Sequence, residues 1–92
     1  MKFTAISSCR RSVREQKLIY ACLEAYKIMP EDKQSEVKAL IGDIAENAPE
    51  GRALFGVLVN KITPETAGTR TGVSVRRIYA MRSEFYERFS VW

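Results

Sequence analysis

The sequence predicts an all-α domain, a small bundle of about five helices without a sheet. Apolar residues recur at helical spacing along most of the chain. Proline and glycine divide the chain into helix-sized pieces, at Pro30, Pro49, Gly51, Pro64 and Gly72. The 92 residues suffice for a single domain, and a hydrophobic fraction of 46% is typical of a chain that folds.

The N-terminal half shows helical periodicity in its apolar residues but contains no motif that indicates a catalytic or binding function. Residues 1–11 have no helical pattern and are expected to form a flexible basic arm. Ser12 and Glu15 have the spacing of a capping box, so the first helix should begin there and end at Met29, before a proline. A second helix should run from about Glu31 to about Glu46. Residues 12–47 are therefore predicted to be a helical pair that serves packing or dimerisation.

The third segment, from about Pro49 to Lys61, is apolar on almost every side. A helix without a polar face belongs at the centre of a domain, and we expect this one to be central. Its β-branched residues and Gly56 lower its helix propensity, so a strand is the competing interpretation. The helical pattern on both sides favours the helix.

Residues 49–92 are predicted to form a helix-turn-helix unit. Thr63 can cap a short helix that Pro64 opens, and Gly72 can take the left-handed conformation that ends it. Gly68 is small enough for a close helix crossing, and Ser74 can cap the next helix. An inward stripe is expected along that helix at Ile78, Met81, Phe85 and Phe89.

Residues 49–89 resemble region 4 of bacterial sigma factors and the phage transcriptional regulators of the ArpU and RinA type. The residues that carry the resemblance are Pro49, Arg52, the apolar run to Val59, Thr63, Gly68, Gly72-Val73-Ser74, Arg76, Arg77 and Arg82. Ala67 and Thr71 depart from the larger aliphatic residues of that family. The resemblance implies a small regulator of transcription from a bacterium or phage, and not a complete initiation factor.

In a helix-turn-helix the second helix enters the major groove, and its N-terminal portion reaches the base edges. The candidate base-edge contacts are accordingly Ser74, Val75, Arg76, Arg77, Tyr79, Ala80 and Ser83. Other polar residues are better placed for backbone phosphates, which position a protein without reading sequence. These phosphate candidates are Lys61, Thr69, Arg70 and Arg82.

Composition argues against catalysis and against a metal or cofactor. The chain has no histidine, and its cysteines are Cys9 and Cys22 alone, so neither a metal site nor a His-dependent nucleophile is expected. The net charge of +4 suits a polyanionic partner and equally suits solubility. Without a secretory pattern or a membrane-spanning run, we expect a cytoplasmic protein with reduced thiols.

The main alternative is a helical protein–protein interaction module, of the host-takeover or anti-defence type, that keeps the tri-helical fold without binding DNA. The two interpretations differ in electrostatics, because DNA binding requires Lys61, Arg70, Arg76 and Arg77 on one face. RNA binding is disfavoured because the aromatic residues fall at inward positions. Two-fold DNA sites favour a homodimer, and contact with RNA polymerase is another use for the N-terminal helices.

Overall fold

A computed structural model describes residues 3, 5–7 and 9–90. The predictions that involve Met1, Lys2, Thr4, Ser8, Val91 and Trp92 lie outside these residues. The described chain forms helices and no strand: α1 (Val13–Glu24), a short 3-10 turn (Tyr26–Ile28), α2 (Glu31–Ile44), α3 (Ala48–Leu58), α4 (Pro64–Thr71) and α5 (Val75–Arg88). The all-α class with five helices is confirmed, and the apolar third segment is a helix.

Hydrogen-bonding side chains set the starts of four helices. The capping box at Ser12 and Glu15 is complete, since each side chain accepts a hydrogen bond from the other residue's backbone amide. Thr63 and Ser74 cap α4 and α5 as predicted. Asn47 caps α3 by accepting from the amide of Glu50, so this helix begins one residue before Pro49.

Two helices end earlier than the sequence predicts. The amide of Ala25 donates to the carbonyl of Cys22, 3.1 Å away, so the end of α1 tightens into the 3-10 turn before Met29 is reached. Helix α3 ends at Leu58, and Lys61 adopts a φ of 58°. That left-handed conformation cannot continue a right-handed helix, so the expected extension of α3 to Lys61 is wrong.

The core lies where α3 and α5 meet. Helix α3 packs on α2, α4 and α5, as expected of a central helix, and α5 packs on α2, α3 and α4. Leu54 and Leu58 of α3 are fully buried. The predicted inward stripe of α5 is confirmed, because its members are at most 2% exposed: Ile78, Met81, Phe85 and Phe89.

The N-terminal segment is tied to this core at two points, which differs from the flexible arm that the sequence predicts. Ile6 is buried, and its backbone amide and carbonyl bond to the side chain of Gln16 at 2.7 and 3.2 Å. Arg11 donates to the carbonyls of Tyr86, Glu87 and Phe89 at the end of α5. A cation there satisfies carbonyls that have no partner within the helix. These contacts join residues that are ten or more positions apart, so no local sequence pattern predicts them.

Candidate nucleic-acid interface

Helices α4 and α5 form a helix-turn-helix, and hydrogen bonds between residues close in sequence define the start of each helix and the turn between them. The hydroxyl of Thr63 accepts from the amide of Thr66 at 3.1 Å, and Pro64 opens α4. Gly72 ends α4 with a φ of 77°, and its amide donates to the carbonyl of Gly68 at 2.8 Å. The hydroxyl of Ser74 then accepts from the amide of Arg77 at 3.1 Å and starts α5.

Gly68 permits the close crossing of the two helices. A Cβ atom at this position would lie 2.9 Å from the carbonyl oxygen of Val73 and 3.4 Å from Cγ2 of Val75. The nearer contact is with backbone, which cannot swing away as the end of a side chain can. The angle between α4 and α5 therefore depends on the absence of a side chain at Gly68.

The N-terminal half of α5 presents one solvent-facing strip. Arg76, Tyr79 and Ala80 are exposed and Ser83 is half-buried. Their spacing of three, four and seven residues places them on one helix face, opposite the buried Ile78. This strip, Arg76–Tyr79–Ala80–Ser83, is called the α5 strip below. It contains four of the seven predicted base-edge candidates.

Two other base-edge candidates serve the structure of the turn. The hydroxyl of Ser74 is engaged as the cap of α5. Val75 is half-buried beside Gly68. Both residues lie at the start of α5, beside the α5 strip, but their side chains hold the turn together.

Arg77 is committed to an ion pair inside the protein. Its Nε and Nη2 atoms lie 3.2 and 3.1 Å from the two carboxylate oxygens of Glu50, and Nη2 also donates to the carbonyl of Ile44 at 3.1 Å. The hydrogen bonds from Arg77, and then that from the backbone of Glu46, lower the pKa of Glu50. The same pairing raises the pKa of Arg77. Arg77 thus ties α5 to the end of α2 and the start of α3.

Lys61, a predicted phosphate candidate, faces α1 instead of the α5 strip. Its ammonium lies 3.7 Å from the centre of the Tyr20 ring and 3.4 Å from the Tyr20 carbonyl. Burial lowers the pKa of Lys61 to about 8, and the charge of Glu24 opposes this shift. The structure therefore does not bring Lys61 together with Arg76.

Arg82 and Tyr79 form a pair on the flank of α5. The guanidinium carbon of Arg82 lies 4.9 Å from the centre of the Tyr79 ring, a cation–π contact. The hydroxyl of Tyr79 donates to the carboxylate of Glu65 at 3.3 Å. The Nε atom of Arg82 is buried and has no hydrogen-bond partner among the described residues. Arg82 therefore lies partly beneath the surface that Tyr79 presents.

Thr69 and Arg70 close the last turn of α4, just before the glycine turn. The hydroxyl of Thr69 donates to the carbonyl of Glu65 at 3.0 Å. Arg70 is exposed and, within the described part of the chain, takes part in no ion pair, and the same holds for Arg76. Of the predicted cations, these two are the ones left fully available to a phosphate or a base edge.

The acidic residues near α5 are mostly engaged by neighbours. Glu84 pairs with Arg88 at 3.0 Å, and Glu87 accepts from the amide of Arg10 at 3.2 Å. Glu65 accepts from Tyr79. The surface around the α5 strip therefore carries charges of both signs, with Arg70 and Arg76 as its free cations among the described residues.

Glu50 is the residue that sequence reasoning did not single out. It lies 27 positions before Arg77, and a glutamate in the first turn of a helix has a local explanation in the helix dipole. No signal in the sequence distinguishes a dipole-compensating glutamate from one that also holds a distant arginine.

Across the described residues, no group of His, Cys, Asp and Glu is arranged to hold a metal ion, and Cys9 and Cys22 are free thiols. No helix in this part of the chain combines the length and apolarity that crossing a bilayer requires. Comparison of the chain with protein-family models, with curated proteins and with solved structures finds no match.

Proposed function

We propose that this protein binds double-stranded DNA in a sequence-specific manner and regulates transcription in a bacterial or phage system. The observation that carries the proposal is the turn at Gly72, which joins two capped helices at a close crossing and leaves Arg76, Tyr79 and Ala80 of α5 exposed. A helix held in this way can enter the major groove. The resemblance to sigma factor region 4 supports the same function.

The α5 strip supplies the reading groups. Arg76 offers a planar guanidinium that matches a guanine edge, and Ala80 offers a methyl group that suits the methyl of thymine. Tyr79, whose hydroxyl donates to Glu65, and Ser83 add hydroxyl oxygens that can accept a hydrogen bond. Arg70, at the end of α4, is placed to hold a backbone phosphate, which fixes the register of α5 on the duplex.

Arg77 has an indirect role in this proposal. Its pairing with Glu50 fixes α5 against α2 and α3, so it orients the α5 strip without touching DNA. A planar guanidinium bonded to both oxygens of one carboxylate gives a defined geometry that a lysine cannot reproduce.

The test begins with selection of bound duplexes from a random-sequence library, followed by fluorescence anisotropy titrations of the selected site. Arg76→Ala should weaken binding to that site by about tenfold or more, since a base-edge contact contributes about 1–3 kcal/mol. Lys38→Ala is the control, because Lys38 is exposed in a groove between α2 and α3 that contains no residue of α4 or α5. Its affinity should stay near that of the unchanged protein.

One observation favours the rival function, a protein-interaction module. Two of the cations predicted for the DNA face, Lys61 and Arg77, are engaged inside the protein. If the folded protein enriches no duplex and binds DNA no better than Arg76→Ala does at low salt, the DNA proposal fails. The α5 strip, with its exposed Tyr79, would then be examined as a surface for a protein partner.

A further inference from the structure

A cleft of about 240 Å³ lies beside α5, and no residue of the α5 strip lines it. The connection from α3 to α4 forms one wall, and Tyr20 of α1 with Arg82 and Tyr86 of α5 form the others. Lys61 and Arg82 both line it, and its lining within the described chain includes no carboxylate. Two cations therefore line one concave space whose described lining contains no carboxylate, although Glu24, outside that lining, acts on the charge of Lys61.

Both cations are partly desolvated without full compensation. The ammonium of Lys61 has the Tyr20 ring at 3.7 Å and a single carbonyl at 3.4 Å, and burial lowers its pKa. The Nε atom of Arg82 is buried without a hydrogen-bond partner in the described residues. A buried cation or donor without a partner costs free energy, and an anion in the cleft would compensate the charges of Lys61 and Arg82.

The backbone also holds Lys61 in an unusual conformation. Its φ of 58° is uncommon for a residue with a side chain and costs free energy that the surrounding structure must offset. In this conformation the ammonium of Lys61 lies over the Tyr20 ring, and Lys61 lines the cleft.

The remaining walls determine what kind of anion fits. Val57, Leu58, Ile62 and Pro64 make the rest of the cleft largely apolar. Tyr86 also lines the cleft; its hydroxyl is protonated at neutral pH, as that of any tyrosine is, and burial raises its pKa further, to about 12. The volume is below the range of about 300–1,000 Å³ that is usual for drug-sized ligands, so the ligand should be small.

We propose that this cleft binds a small organic anion, in which a phosphate or carboxylate group lies between Lys61 and Arg82 and a compact apolar body contacts the other walls. The cleft contains no residue of the α5 strip, although Arg82 contacts Tyr79 of that strip, and the proposal does not depend on DNA binding. Because Thr63 and Pro64 begin α4 and Arg82 lies in α5, both helices of the helix-turn-helix contribute to the cleft.

The test is titration of the ¹⁵N-labelled protein with inorganic phosphate, phenyl phosphate and benzoate at constant ionic strength, followed by amide chemical shifts. At least one probe should give saturable shifts centred on the amides of Lys61, Ile62 and Arg82 at millimolar concentration. Phenyl phosphate and benzoate should bind more tightly than inorganic phosphate, because they add an apolar body.

Lys61→Met and Arg82→Met keep the apolar stem of each side chain and remove its charge. Each should weaken probe binding by about tenfold, the effect of losing one charge-assisted hydrogen bond. Lys38→Met, an exposed lysine in the groove between α2 and α3, is the control and should bind as the unchanged protein does. Circular dichroism establishes that each variant is folded.

Two results would overturn the proposal. One is the absence of saturable shifts at these amides with all three probes in the unchanged protein, which does not rely on any variant folding. The other is equal weakening by Lys38→Met and Lys61→Met, which would mean general attraction to a basic protein and not a site.

Discussion

Neighbouring arginines at the start of α5 have opposite environments. Arg76 is exposed and has no ion-pair partner among the described residues, whereas Arg77 bonds to both oxygens of Glu50 and to a carbonyl of α2. Helical periodicity places Arg76 opposite the buried Ile78 and Arg77 on the flank, and both residues were predicted to contact base edges. The difference arises from Glu50, whose side chain only the folded chain brings near.

This contrast predicts that the two arginines differ in their effect on stability. Arg77→Ala should lower the free energy of unfolding by about 1–3 kcal/mol, because it removes a two-point ion pair and leaves the Ile44 carbonyl and Glu50 with fewer partners. Arg76→Ala should change it by less than about 0.5 kcal/mol, as is usual for an exposed residue. Urea unfolding of both variants measures the difference, and equal effects would contradict the assignment.

Lys61 predicts an unusual dependence of stability on pH. Its pKa is about 8 in the folded protein, against 10.5 for an ordinary lysine, so between these values the unfolded chain holds a proton that the folded chain has lost. The free energy of unfolding should therefore gain a contribution that rises as pH increases from 8 toward 10.5. Urea unfolding of the unchanged protein and of Lys61→Met across this range should show the gap between them change.

The comparison with Lys61→Met isolates this effect from other titrations. Burial raises the pKa of Cys22, which acts in the opposite direction because the folded form then retains its proton longer. That contribution is present in both proteins and cancels in the difference. A gap that stays constant through the range would contradict the burial of the Lys61 ammonium.

At the scale of the element, Gly68 and Gly42 are a matched pair of helical glycines with opposite surroundings. An added Cβ at Gly68 would meet the Val73 carbonyl at 2.9 Å, whereas one at Gly42, in α2, has no atom within 4 Å. Alanine favours a helix interior over glycine by about 1 kcal/mol. Propensity alone would make both substitutions stabilising, and packing should reverse the sign at Gly68.

Gly42→Ala should therefore raise the free energy of unfolding by about 0.5–1 kcal/mol. Gly68→Ala should lower it by about 1–3 kcal/mol, because the backbone of the turn must move to admit the methyl group. Thermal and urea unfolding test both changes. Stabilisation by Gly68→Ala would mean that α4 and α5 do not cross as closely as the structure shows.

The sequence could predict those parts of the fold that depend on interactions between residues close in sequence. The caps at Ser12, Thr63 and Ser74 and the left-handed Gly72 follow from residues within a few positions of each other, and all four are confirmed. Helix ends that depend on tertiary contacts were not predictable in this way. Lys61 illustrates this, since its conformation goes with a contact to Tyr20, 41 positions earlier.

In the candidate site, too, the sequence predicted what depends on neighbouring residues and missed what depends on tertiary contacts. Helical periodicity identified the α5 strip, because exposure along one helix is a local property. It could not assign Arg77, Lys61 or Arg82, whose charges lie against Glu50, Tyr20 and Tyr79. A long cationic side chain reaches several ångströms from its helix. Helical periodicity therefore predicts the direction of its Cβ atom but not the position of its charged group.

At the scale of the whole molecule, the net charge of +4 is not concentrated on the α5 strip. The ion pair of Arg77, the location of Lys61 and the contact of Arg82 with Tyr79 leave Arg70 and Arg76 as the available predicted cations in the described chain. Affinity from so few phosphate contacts is modest for one copy, because the phosphate backbone supplies much of the binding free energy. Two copies on a two-fold site would double those contacts, which is why a homodimer remains our expectation on DNA.

The salt dependence of DNA binding distinguishes one bound copy from two. Each phosphate neutralised by a cation contributes about −0.9 to the slope of log K against log salt concentration, so one copy with Arg70 and Arg76 as its cations should give about −2 at most. Two copies on an inverted repeat, with half-sites about one helical turn apart, should give about −4 at most. Anisotropy titrations across a salt series on single and paired sites measure both slopes. A common shallow slope on both duplexes would show that the protein binds as separate single copies, and a slope much steeper than about −4 would require cations beyond Arg70 and Arg76 at the interface.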